Sequence, residues 1–182
     1  AQDEQIIVSV PTKILQDQIM ANEAKKIQEV FHISCQSIKG PGNYIKLDSF
    51  AETLHREGDN RLVNRYKMQL LVWLTETLTG DLDEIRQKYS FETYFEQIKH
   101  DGNLSEKSLY KDVDFWNRTY ENAKHSKLLI INHAYFLERV QDDKAFAAKK
   151  ILIFDEAQKL ILNLEQFSRR RVNVTQLVQK LE

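Results

Sequence analysis

The stretch Lys150-Ile151-Leu152-Ile153-Phe154-Asp155-Glu156-Ala157-Gln158 sets four bulky apolar residues directly before two carboxylates. A short continuous apolar run of this kind predicts a buried strand of a parallel sheet. The carboxylates then emerge at the C-terminal end of that strand, the edge at which open α/β sheets bind ligands. An acidic pair there suits nucleotide hydrolysis. Asp155 would hold Mg²⁺ through water beside the phosphates, and Glu156 would orient or deprotonate the attacking water. The same residues also suit the start of a solvated helix, where acids favour the positive end of the helix dipole.

Upstream, Lys127-Leu128-Leu129-Ile130-Ile131-Asn132 predicts a second strand ending on polar side chains, with a helix over about 134–140 leading to the third. Asn132 there reads equally as a helix cap, and His133 as a core or surface histidine. Further upstream, Gln5-Ile6-Ile7-Val8-Ser9-Val10 is a compact β-branched run that stops at Pro11. Thr12 is the expected N-cap of a following helix. Ile14, Leu15, Ile19, Ile27, Val30 and Phe31 recur at helical spacing after it. Hydroxyl and backbone N–H groups at such a helix start can hold a phosphate, and a plain β–α junction fits as well. Gln16 and Gln18 lie too close in sequence to share one helix face.

The middle of the chain differs in character. His32 to Ile38 suits one more short strand, and Lys39-Gly40-Pro41-Gly42-Asn43 is a loop. From about 47 to 126 helix formers dominate. Leu62, Val63, Tyr66, Met68, Leu70, Leu71, Trp73, Leu74 and Leu78 predict an apolar helix, capped by Asp59 or Asn60 and closed by Gly80. Shorter helices are expected around 82–98 and 112–125, with a turn at Asp101-Gly102-Asn103. Past the acidic pair the chain reads as helical, with Asn173 capping a last segment. The simplest architecture is α/β: a parallel sheet interrupted by a helical insertion of roughly 80 residues, with right-handed crossovers.

With 42% hydrophobic and 29% charged residues, two prolines and five glycines, the 182 residues can bury a real core. A formal charge of -1 carries no electrostatic signature of nucleic-acid binding, though a groove can be basic while the whole is neutral. The single cysteine, Cys35, forms no internal disulfide and holds no iron–sulfur cluster, which reads as an intracellular, cytoplasmic chain. No signal peptide and no apolar run long enough for a bilayer is seen. The five histidines lack ligand spacing, so no metal cage is expected. Ser168-Arg169-Arg170-Arg171 is a small basic run that suits a backbone phosphate or a solvated helix end.

Four signals in this order resemble the DinG/XPD branch of superfamily 2 DNA helicases. Val10-Pro11-Thr12-Lys13 with Leu15-Gln16 and Gln18 resembles motif Ia. Ile38-Lys39-Gly40-Pro41-Gly42-Asn43-Tyr44 resembles the entry to the family's iron–sulfur domain. Asn132-His133-Ala134 resembles the tripeptide ahead of Walker B, and Ile153-Phe154-Asp155-Glu156-Ala157-Gln158 resembles Walker B itself. The resemblance implies a partial RecA-like P-loop NTPase sheet with a large helical insertion. It divides the chain into a leading motor-domain segment (1–38), the insertion (39–126), a returning motor-domain segment (127–162) and the start of an arch-like helical segment (163–182).

The resemblance further implies ATP and Mg²⁺ as cofactors of the full-length protein, single-stranded DNA as partner, and the rest of the helicase chain as the source of the phosphate loop and second motor domain. Asp155 and Glu156 would be catalytic. Asn132 and Gln158 would couple nucleotide to DNA, and Thr12, Lys13, Tyr44 and Lys46 would meet DNA. Lys39, Arg56, Arg61, Arg65 and Lys67 add cations to the insertion, which reads alternatively as solvated surface with core aromatics.

Two departures stand out. The family's first and last cluster cysteines fall on Lys46 and near Val113, so the insertion resembles an iron–sulfur domain without its cluster. Packing must hold it instead, with Tyr66, Trp73, Phe115 and Trp116 as anchors. Cluster-free relatives include a Gram-positive subgroup with an attached 3′–5′ exonuclease domain. Gln158 replaces the family's histidine and offers hydrogen bonds without a titratable ring. The 182 residues contain no Gly-x-x-x-x-Gly-Lys-Ser/Thr loop, so this polypeptide alone is expected to hydrolyse no ATP. The competing expectation is a DNA-gripping module that serves an attached nuclease without unwinding.

Overall fold

β-Branched Ile6, Ile7, Val8 and Val10 lie in strand β1, Glu4–Val10, which pairs in parallel on both sides. On one side runs strand β3, Leu128–Asn132, with Ile6 opposite Leu128 and Val10 opposite Asn132. On the other runs β4, Lys149–Phe154, with Ile6 opposite Ile151 and Ser9 opposite Phe154. Strand β2, Cys35–Ser37, completes a four-stranded parallel sheet in the order β2-β3-β1-β4. The computed structural model describes residues 4–85, 91–103, 105–139, 146 and 149–168. The chain divides into two compact units, Ala1–Cys35 with Lys127–Glu182, and Gln36–Ser126. The fold is α/β, in keeping with a portion of a RecA-like domain.

Within the first unit, Thr12 caps helix α1, Lys13–Ile19, its side chain accepting from the Leu15 N–H. A π-turn over Met20–Ala24 leads into α2, Lys25–Phe31, which ends at His32 in the left-handed region (φ 52°). The wider turn shifts the phase of the apolar stripe. Ile19, Met20 and Ile27 pack on Ala24, Leu128 and Ile130, whereas Ile14, Val30 and Phe31 face solvent. Helices α7, His133–Arg139, and α8, Ala157–Ser168, follow β3 and the acidic turn. Arg169–Arg171 and Asn173 lie outside the described residues, as does most of 163–182.

One expectation is corrected. All five residues of β3 are buried, but the apolar run of β4 is not: Ile151, Leu152 and Ile153 are 48%, 39% and 48% exposed. β4 stands at the end of the strand order, so among the described residues it has one neighbour where a central strand has two. Apolar content alone does not distinguish the two situations.

The second unit contains helices α3, Leu47–Leu54; α4, Arg61–Glu76; α5, Glu92–Ile98; and α6, Phe115–His125. Short antiparallel bridges join Tyr44 to Asp81 and Ile45 to Lys99. Asn60 caps α4 by accepting from the Val63 N–H at 2.9 Å. The helix then ends at Thr77 in extended backbone, ahead of the expected Gly80. Gly80 has another job: at φ 65° its Cα abuts Phe115, and a Cβ there would lie 2.3 Å from the ring. Tyr66 stacks on Phe91 at 4.1 Å and meets Tyr94 and Phe95 edge-on. Tyr66, Phe115 and Trp116 are thus core anchors as expected. Trp73 is only half-buried, its indole N–H donating to Glu84 at 3.0 Å.

Candidate functional site

Because β1, β3 and β4 run parallel, their C-terminal ends open on one edge of the sheet. Thr12 and Lys13 follow β1, Asn132 ends β3, and Asp155 and Glu156 follow β4. Behind that edge lies a buried polar network. Gln16, fully buried on α1, donates to the Ile130 carbonyl at 3.1 Å and accepts from the Asn132 side-chain amide at 3.0 Å. The other end of the Asn132 amide accepts from the Tyr135 N–H at 2.9 Å and so caps α7. Asn132 therefore does serve as a cap, and also ties the β3–α7 junction to the helix after β1.

His133 is completely buried. Its Nδ1 lies 2.7 Å from the Ser9 hydroxyl and its Nε2 3.0 Å from the Asp155 carbonyl. The Asp155 N–H in turn donates to the Ser9 carbonyl at 2.9 Å. Burial holds the His133 imidazole below the ordinary histidine value, against the opposite pull of the Asp155 and Glu156 backbone and charges. Phe154 and Phe136 close the apolar side, their rings 4.9 Å apart edge-on.

The acidic turn itself is open. The Asp155 side chain is exposed, and Glu156 is half-buried with its carboxylate 2.7 Å from Lys159. Glu156 has φ 47°, a left-handed conformation that costs of order 1–3 kcal/mol for a residue other than glycine and clusters at functional sites. An exposed aspartate at a strand end is a suitable hard oxygen donor for Mg²⁺, which takes one or two carboxylates alongside water and substrate phosphates.

Among the curated proteins that match most of this chain are three named "3'-5' exonuclease DinG". The one from Staphylococcus saprophyticus is 32% identical over 157 residues, that from Staphylococcus haemolyticus 30% over 164, and that from Staphylococcus aureus 31% over 157. This chain is similar to DinG-named proteins. The match covers 85% of the chain but 17% of each relative's length. No family model matches the chain. Among the described residues no helix is long and apolar enough to cross a membrane.

In this DinG-similar chain the remaining candidate residues divide by environment. Thr12 is exposed and Lys13 half-buried beside it at the start of α1; Gln158 is exposed on the first turn of α8. In the second unit Lys46 is 2.8 Å from Asp101, so its charge is already engaged. Val113, at the position near the family's last cluster cysteine, is exposed. Tyr44, expected to meet DNA, is buried. Its ring is 4% exposed and lies 5.5 Å from Trp116, and its hydroxyl accepts from the Lys39 N–H. Lys39 and Lys67 are likewise buried rather than free cations, the first paired with Asp81 and the second with Asp59. Sequence reading missed Ser9 and the roles of Gln16 and His133. The signal for Ser9 was a lone hydroxyl inside an apolar strand, which needs a partner when buried.

Proposed function

We propose that this chain belongs to an ATP-dependent DNA motor, with nucleotide chemistry at the C-terminal edge of its sheet. The observation that carries the reading is the convergence of Thr12-Lys13, Asn132-His133 and Asp155-Glu156 from three parallel strands at one edge. Asp155 would hold Mg²⁺ through water, and Glu156 would orient the water that attacks the terminal phosphate. Bound there, Mg²⁺ supplies charge neutralisation to the phosphates. Asn132 and Gln158 would link nucleotide state to α1, whose cap Thr12 and first residue Lys13 would meet single-stranded DNA. The rest of the longer protein would supply the phosphate loop, and the 182 residues alone would be inactive.

The test is DNA-stimulated ATP hydrolysis by the full-length protein against its Glu156→Gln variant. We expect stimulated turnover that falls by roughly 100-fold or more in the variant, as loss of a water-orienting group predicts. Equal turnover in both would remove Glu156 from the chemistry.

A second reading is favoured by the exonuclease in the relatives' name. Here the segment would grip DNA for an attached 3′–5′ exonuclease without unwinding it. Strand-displacement assays separate the two: clear ATP-dependent unwinding overturns the second reading, and DNA binding without turnover supports it.

A further inference from the structure

Three hydrogen bonds close a ring across three strand ends: Asp155 N–H to Ser9 C=O, Ser9 hydroxyl to His133 Nδ1, and His133 Nε2 to Asp155 C=O. From this ring we infer that His133 is a positioning residue for the acidic turn, acting through the Asp155 peptide and Ser9; the inference rests on the hydrolytic reading above.

The proton positions follow from donor chemistry. A carbonyl oxygen only accepts, so the ring nitrogen facing Asp155 must carry the hydrogen. Nδ1 of the neutral ring is then an acceptor, and Ser9 donates to it. A single tautomer satisfies both contacts. Both backbone polar groups of Asp155 are thereby engaged, one by β1 and one by the residue after β3. The next residue, Glu156, turns left-handed, a conformation its own side chain does not favour. Fixing the peptide immediately before that turn sets the direction in which both carboxylates leave the sheet. His133 itself is fully buried and lies behind the edge, so it touches neither nucleotide nor DNA.

The test uses the full-length protein and the variants His133→Ala, His133→Gln and Ser9→Ala. Glutamine retains an N–H that can reach the Asp155 carbonyl; alanine does not. We expect His133→Ala to lower kcat roughly 10- to 100-fold while KM for ATP moves by less than about threefold. His133→Gln should recover most of that loss, and Ser9→Ala should fall between. Nitrogen-15 spectra of histidine-labelled protein, with the His133→Gln variant assigning the signal, should show the hydrogen on Nε2 without nucleotide present.

Unchanged kcat in His133→Ala overturns the inference, as does a loss that glutamine fails to recover or a ring hydrogen on Nδ1. Should His133→Ala fail to fold, Ser9→Ala carries the same comparison, and its unchanged kcat overturns the inference. Turnover absent or insensitive to Glu156→Gln defeats the hydrolytic reading instead, while the nitrogen spectra still report on the ring.

Discussion

The two units solve the problem of buried polarity in opposite ways. In the sheet unit the interior polar groups are neutral: Ser9, Gln16, Asn132 and His133 bond to one another and to backbone. In the helical unit two of them are ion pairs: Lys39 faces Asp81, and Lys67 faces Asp59 and the Thr53 carbonyl. Burial pushes the Asp81 carboxyl up even though the Lys39 ammonium pulls it down. Neutral hydrogen bonds fix direction without a large desolvation cost, which suits an edge where backbone must be aimed. Ion pairs are costly to bury and specific about partners, which suits a unit of short helices and loops that must choose one packing.

If that contrast is right, the largest stability effect belongs to the neutral network. Gln16→Leu strands the Asn132 amide in the interior and removes a donor from Ile130, so we expect a loss of about 3 kcal/mol in urea unfolding. Lys67→Met should cost less, about 2 kcal/mol, because the Asp59 side chain it abandons is 31% exposed and can rehydrate. Equal losses, or a reversed order, would break the contrast. Asn60→Ala removes only the α4 cap and should cost about 1 kcal/mol by the same measurement.

The smallest effect is a pH dependence. Desolvation would raise the Asp101 carboxyl, but the Lys46 ammonium and the Asn103 N–H together bring it below the usual value. A lowered carboxylate stabilises the fold above its unfolded pKa of about 4 and loses that contribution as pH falls through the lower folded value. Acid titration of Lys46→Met should therefore show a shallower decline across this window than the parent. The exposed setting keeps the difference small.

Much of this organisation was legible in advance. β-Branched runs marked three strands, and Thr12 announced its helix because a capping side chain acts within three residues. What lay beyond sequence depended on distant neighbours. Ser9 and His133 meet across 124 positions, and nothing local pairs them. Tyr44 looked available because its motif resembles an entry loop, yet Trp116 covers it. Nothing local in Asp155-Glu156 foretells a left-handed glutamate. Asp59 and Asn60 were interchangeable as caps on paper; the fold assigns the cap to Asn60 and gives Asp59 to Lys67.

Among the described residues β4 has a neighbour on one side only, which has a practical consequence for handling the polypeptide. An edge strand carrying Ile-Leu-Ile-Phe is a template on which another chain can extend the sheet, and Lys149 and Lys150 guard only its first two positions. A preparation of these 182 residues on their own should self-associate as concentration rises, and a charge introduced at Ile151 or Ile153 should keep it dispersed.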